Sequence, residues 1–317
     1  MGGHQMASGK PAPLSQSKGP GKDTAPLYFT YPAGEADVDV VVYENDSAAA
    51  AGLADLVAKA STEAIAAKGS FAIALSGGSL VKQLAALVGR EEVDFSKWWV
   101  FWADERVVPH DSADSNYRGA REEFLSKVPI PQEQTVTIKE GLNAEQACGA
   151  HKTVTIKEGL SAEQAASHYE GLMLDLADTV LPTTADNFPI LDAVLLGVGP
   201  DGHVASLFPN TPQTAATKGW VLPVTNSPKP PPERITLTLP VLNAAKHVAV
   251  VAVGQGKAEV VQRVLEVQSL PGALPAQLVQ PTAGKLTWLL DQASAGQLDT
   301  EKWSEGKHFP RSSVGKA

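Results

Sequence analysis

Cysteine is nearly absent: the 317-residue chain has one, Cys148. A lone thiol excludes an internal disulfide and a cysteine-based zinc site, which fits a reducing compartment. Cations are also scarce, with 26 Lys and Arg against 35 Asp and Glu and a formal net charge of −9. A binder of nucleic acid or anionic membrane draws its affinity from clustered Lys and Arg, so neither is an expected partner. An anionic small molecule stays open, provided a few cations are placed locally. Long apolar runs are missing too, since Gly, Pro or a charge interrupts each within about ten residues, short of the ~18 a membrane helix needs. These absences suggest a soluble, acidic, cytoplasmic protein, with the plastid as the other location left open.

At roughly 100 to 200 residues per domain, the length allows one large α/β unit or two small ones. Residues 1–26 collect Gly, Pro, Ser and Lys without apolar periodicity, a composition that cannot offset ordering entropy. They read as a flexible tail or an expression remnant. A transit peptide would favour Arg, and this segment has none. Residues 299–317 read as a second tail, leaving 27–298 as a single domain.

Within that domain, apolar runs at 38–45, 71–75, 98–108, 193–199, 235–239, 247–254 and 285–291 predict strands. Stretches with helical spacing lie at 79–89, 116–127, 162–180 and 257–267. An Ala/Leu-rich helix is also expected up to Lys68, capped by Asp46 or Ser47 in front and Gly69 behind. Continuous apolar strands alternating with amphipathic helices indicate a Rossmann-like, mainly parallel sheet covered on both faces. One segment recurs: TVTIKEGLNAEQA at 135–147 and TVTIKEGLSAEQA at 153–165. Such near-identity looks like a local duplication rather than an old structural repeat. Its surplus, around residues 143–152, is expected to loop out, which makes Cys148 and His151 poor functional candidates.

Ligands of open parallel sheets bind beyond the carboxyl ends of the strands. Three such ends stand out. After 71–75 comes Ser76-Gly77-Gly78-Ser79, where glycines let backbone N–H groups approach an anion and a helix N-terminus adds partial positive charge; a plain tight turn explains it as well. After the tryptophan-rich run comes Asp104-Glu105-Arg106. Three charges there are usually solvated, but the planar fork of Arg106 suits a phosphate. The third end, GVGPDGHVASLFPN at 197–210, delivers Asp201 and His203 on a backbone shaped by three glycines and two prolines. A lone histidine is usually structural; this one has a carboxylate two residues away at the ligand end of the sheet. The others sit in tails, loops, a helix or a strand start, and with no Cys or His cluster no metal site is expected. Trp98, Trp99 and Trp102 read as core rather than a sugar-stacking platform, because they lie within a strand.

Taken in order, LSGGSL, ADERVVP, SNYRGAREEFLSKVPIP, LLGVGPDGHVASLFP and SPKPPPERITLTLPVLN make the chain resemble the 6-phosphogluconolactonases over residues 38–293, most of all their plant-like forms. That family shares a superfamily with glucosamine-6-phosphate deaminases and ribose-5-phosphate isomerases. The resemblance implies hydrolysis of 6-phospho-D-glucono-1,5-lactone in the pentose phosphate pathway; no cofactor is expected, and a monomer or weak homodimer is the expected state, which sequence alone does not fix. In the deaminases a glutamate after the histidine takes part in opening the sugar ring; here Phe208 stands at that position. An isomerase or deaminase, or a non-catalytic sugar-phosphate sensor, are the alternatives.

Lactone hydrolysis needs an activated water, a stabilised oxyanion and a proton for the ring oxygen. One histidine near neutral pKa can serve both transfers. His203 is the expected base and acid, as the resemblance also implies, kept neutral by a helix start and oriented by Asp201. The rival is a serine nucleophile, Ser76 or Ser79, but neither lies in a Gly-x-Ser-x-Gly elbow. Ser76, Gly77, Gly78, Ser79, Asp104, Arg106 and Lys257 are the candidate substrate and phosphate ligands. Arg234 joins them, although an ion pair holding its loop would explain it equally.

Overall fold

The alternating apolar runs become two sheets in the computed structural model, which describes residues 26–33, 36–138, 160–267, 274–299 and 304–305. In chain order the strands are β1 (Leu27–Ala33), β2 (Ala36–Tyr43), β3 (Phe71–Leu75), β4 (Trp98–Trp102), β5 (Asp104–Arg106), β6 (Ala193–Gly197), β7 (Val221–Val224), β8 (Arg234–Leu237), β9 (His247–Ala252), β10 (Lys285–Asp291) and β11 (Ser304–Glu305). The helices are α1 (Asp46–Lys68), α2 (Ser79–Gln83), α3 (Asn116–Glu123), α4 (Ala162–Leu174), α5 (Leu239–Ala244), α6 (Ala258–Glu266) and α7 (Pro275–Leu278).

The larger sheet runs β11-β1-β2-β10-β9-β6-β3-β4. From β2 to β4 every pairing is parallel, while β1 and β11 add antiparallel edges. This is the mainly parallel α/β sheet expected from the sequence. Its central strands are covered on both sides, which is why all five residues of β3 are buried. From β3 the chain moves outward to β4, then returns to the far side of β3 for β6 and proceeds to β9 and β10. Strand order therefore reverses between β3 and β6, and the crevice beyond their carboxyl ends is the place such a sheet offers a ligand.

Packing and capping fix the frame around that crevice. Trp98 and Trp102 are fully buried, and Trp98 Nε1 donates to Ser61 Oγ at 2.8 Å, so these rings belong to the core. Each large apolar side chain buried there contributes roughly 1.5–3 kcal/mol. Asn45 caps α1, its side chain accepting from the Ala48 amide; Gly69, at φ 80°, closes the helix by donating to Ile65 O. Ser161 and Gln164 form a reciprocal capping box at the start of α4. At the amino ends of the strands, the buried Asp192 carboxylate meets Lys68 and Lys246, each at 2.9 Å, and accepts from Ala72 N.

Several expected elements differ. The run 98–108 is two strands in two sheets, β4 in the parallel layer and β5 in a small antiparallel sheet of order β5-β8-β7. The break at Ala103, whose N–H bonds Leu75 O, carries the carboxylates of Asp104 and Glu105 out of the apolar layer. The strand expected at 235–239 is β8, Arg234–Leu237, and likewise belongs to the small sheet, while Leu239 begins α5. The helix expected to 180 stops at Leu174, and three successive amides, Thr179 to Leu181, then bond Leu176 O. The helices expected at 79–89, 116–127 and 257–267 each include a short 3₁₀ turn. Strands β1 and β7 had no clear periodicity; Pro223 in β7 is tolerated at a sheet edge, where no ladder donor is needed. The duplicated surplus, with Cys148 and His151, lies outside the described residues.

Among the described residues, no helix is long and apolar enough to cross a membrane.

Candidate active site

The loops leaving β3, β4, β6 and β9 converge at the crevice. After β3, the Ser76 amide bonds Leu195 O, while its buried Oγ has no hydrogen-bond partner among the described residues. Gly77 permits a close approach: a Cβ there would stand 1.8 Å from Asn116 Oδ1. Asn116 Nδ2 in turn donates to Asp104 O at 2.8 Å, joining the loops after β3 and β4. Gly78, at φ 76°, immediately precedes Ser79 and α2.

In the segment after β4, the two carboxylates are buried, against the expectation of solvated charges. Asp104 accepts from Ser206 Oγ at 2.7 Å. Glu105 gathers the amides of Arg106, Asn116 and Tyr117 and the Ser115 hydroxyl. Burial nevertheless pushes its carboxyl up to about 7, outweighing the three backbone donors, with the Asp104 charge adding to the rise. Arg106 is half-buried; Nη1 donates to Asp114 O at 2.7 Å, and the buried Nε has no partner among the described residues.

The loop after β6 is a series of turns. Gly202, Ala205 and Asn210 all take positive φ, at 80°, 48° and 60°; the two non-glycine cases are strained, a feature that concentrates in functional loops. Val204 and Leu207 form an isolated bridge. No helix follows His203 before β7, so the expected helix start is wrong and no helix dipole acts on the ring. Burial instead holds the imidazole below its ordinary value; Asp201 opposes this and Lys229 reinforces it.

His203 Nδ1 lies 2.5 Å from Asp201 Oδ1. An ionised carboxylate only accepts, so Nδ1 carries the proton and Nε2 presents a lone pair. Nε2 has no hydrogen bond among the described residues. The side chains are 17% exposed for His203 and 36% for Asp201, so the ring is sheltered while its partner reaches the opening. Phe208 packs on the imidazole with ring centroids 4.8 Å apart. Burial alone would raise the Asp201 carboxyl, but the His203 hydrogen bond and the charges of His203 and Lys229 bring it below its ordinary value.

Lys229 is the group that sequence reasoning missed. Its Nζ lies 3.3 Å from Asp201 Oδ1 and 3.2 Å from His203 Nδ1. It comes from the proline-rich loop before β8, which has no periodicity to flag it; its only signal was being the single lysine of SPKPPPER. Arg234 is buried beneath that loop and donates to the carbonyls of Lys229, Pro230 and Pro231. It holds the loop through backbone oxygens rather than through the ion pair considered from sequence. Lys257 donates from Nζ to Val198 O at 2.7 Å, tying the β9 loop to the β6 loop.

The crevice thus collects Arg106, Lys229, Arg234 and Lys257 in a chain of net charge −9. An oriented imidazole with an open Nε2 beside these cations suits proton transfer to and from water attacking an anionic substrate.

The sequence profile of glucosamine-6-phosphate isomerases/6-phosphogluconolactonase matches residues 44–288. A protein of Oryza sativa subsp. indica named probable 6-phosphogluconolactonase 3, chloroplastic, is 42% identical over 267 residues, covering 82% of this chain and 76% of that protein. Probable 6-phosphogluconolactonase 1 of Oryza sativa subsp. japonica is 40% identical over 282 residues, covering 86% and 89%. The solved structure of 6-phosphogluconolactonase from Trypanosoma brucei aligns with a TM-score of 0.66 at 28% identity, over 82% of this chain and 98% of that one. On this match of sequence and fold, the chain belongs to the glucosamine-6-phosphate isomerase/6-phosphogluconolactonase family.

Proposed function

We propose that the protein hydrolyses 6-phospho-D-glucono-1,5-lactone to 6-phospho-D-gluconate, the lactone-opening step of the oxidative pentose phosphate pathway. The observation that carries the mechanism is the 2.5 Å contact between Asp201 and His203 Nδ1, which leaves Nε2 open as a base. Water attacks C1 as Nε2 takes its proton, and Asp201 stabilises the imidazolium that forms. The tetrahedral oxyanion collapses, the bond from C1 to the ring oxygen breaks, and that oxygen receives the proton back from Nε2. The product carboxylic acid then ionises. A serine nucleophile fits less well, because no base touches the Ser76 hydroxyl among the described residues.

We assign the substrate phosphate to the cradle of Ser76, Gly77, Gly78, Ser79 and Arg106, with Lys257 beside it. Ser76 Oγ and Arg106 Nε support this, as buried polar atoms without partners that an anion would satisfy. Asp104 and Arg234 shape the site from below, Asp104 through Ser206 and Arg234 through the Lys229 loop. Ring opening of an amino sugar is disfavoured by Phe208, whose ring packs against the histidine where the deaminases carry an acid. We take residues 27–298 as the catalytic unit, acting as a monomer or weak homodimer in the cytoplasm, with the plastid as the alternative location. Sedimentation and fractionation of the tagged full chain test these last points. The activity is tested by proton release from freshly made lactone, measured above its spontaneous hydrolysis.

A further inference from the structure

Lys229 is held in place by the protein's own contacts. It lies between Pro228 and Pro230, whose fixed φ stiffens the loop. Its amide bonds Ser227 Oγ at 3.2 Å, and the buried Arg234 guanidinium grips its carbonyl at 2.9 Å. A stiff loop so anchored presents an ammonium to two atoms of the Asp201–His203 pair. Because Nδ1 gives its proton to Asp201, it has no lone pair for Lys229. The approach of Nζ to Nδ1 at 3.2 Å is therefore between two donors converging on Asp201 Oδ1.

We propose that Lys229 is a positioning residue for the proposed base: it fixes the Asp201 carboxylate against Nδ1 and places positive charge beside the ring, so that His203 stays neutral and readily returns a proton it has taken. The idea rests on the lactonase reading only for its catalytic consequence. The charged groups acting on the ring are Asp201, Lys229 and Asp104. Lys257 is the further cation of this cluster, and it feels the charges of both Lys229 and Asp201. Without Lys229, the two carboxylates act on the imidazolium unopposed at close range, and the ring becomes the stronger base. Asp201 alone would orient the ring; Lys229 keeps that orientation from making His203 too basic to release its proton.

The test is an NMR titration of the histidine Cε1–H signals in the full chain, with His203→Gln assigning the His203 resonance. In Lys229→Met, which removes the charge at similar length, the His203 midpoint should rise by about one pH unit. In Lys229→Arg it should stay within a few tenths of the parent. With the phosphorylated lactone, the acid limb of kcat/KM should move upward with the NMR midpoint in Lys229→Met. An unchanged midpoint in Lys229→Met overturns the proposal. An unchanged midpoint together with a raised KM for the phosphorylated lactone, but not for unphosphorylated gluconolactone, makes Lys229 a phosphate ligand instead. If the titration shifts while the parent protein fails to open the lactone, the positioning role stands and the lactonase reading fails.

Discussion

A Cβ on Gly199 would stand 2.0 Å from both Nδ1 and Cε1 of His203 and 2.7 Å from Asp201 Oδ1. The imidazole and its carboxylate fill the space that any side chain at 199 would take. Gly199→Ala should therefore displace the ring from its partner and lower kcat by about 100-fold, because small misplacements of a reacting group are costly. The obstacle is a side chain near the crevice, so the melting temperature should fall by only a few degrees. Gly197→Ala, with nothing within 4 Å of its Cβ, is the control and should keep near-parent rates. Initial rates and thermal melts of the two variants decide this.

Arg106 is assigned to the phosphate because its buried Nε is unpartnered. Arg106→Ala should raise KM for the phosphorylated lactone by tenfold or more and leave unphosphorylated gluconolactone nearly unaffected. Equal effects on both substrates would remove the phosphate role.

Burial holds the His203 imidazole below its ordinary value of 6.5. With the neutral form as the proposed base, kcat/KM should be level near neutrality and fall on acidification with a midpoint below 6.5. A midpoint above 6.5 would mean that Asp201 dominates the ring and that the site is built differently. The measurement is a pH profile corrected for the spontaneous reaction at each pH.

Glu105 titrates near 7 in the folded chain against an ordinary 4.5. Between these values the folded protein holds a proton that the unfolded chain has released, so the contribution of Glu105 to stability falls as pH rises from 4.5 to 7 and then levels off. The loss amounts to as much as about 3 kcal/mol. Glu105→Gln removes the titration, so the parent should lose more unfolding free energy than the variant between pH 5 and pH 8. Urea unfolding at both pH values reads the difference, and equal losses would contradict it.

Strands β3, β6 and β9 were legible because each is a nearly continuous apolar run, the pattern of a strand buried on both faces, and β10 through its apolar centre, Trp288 to Leu290. Once they are laid in parallel, strand-end reasoning points to Ser76, His203 and Lys257 as candidates without any contact being known. Other features depended on contacts between distant segments. Nothing local marks Ala103 as the point where the chain changes sheets, since β4 and β5 read as one run. The expected helix after His203 failed because Gly202 and Ala205, both at positive φ, turn the backbone back on itself. Lys229 was invisible for a similar reason: it meets Asp201 and His203 only through a proline loop whose course Arg234 fixes from beneath.

The proposed role of His203 is to move the proton in lactone opening. Its most direct test is the steady-state rate of freshly prepared 6-phosphogluconolactone with parent protein and with His203→Ala, each against the spontaneous reaction. Rapid turnover by the parent and a loss of about 1,000-fold in kcat in the variant are expected, within the range that general acid–base catalysis supplies. A His203→Ala protein that keeps the parent turnover number would contradict it.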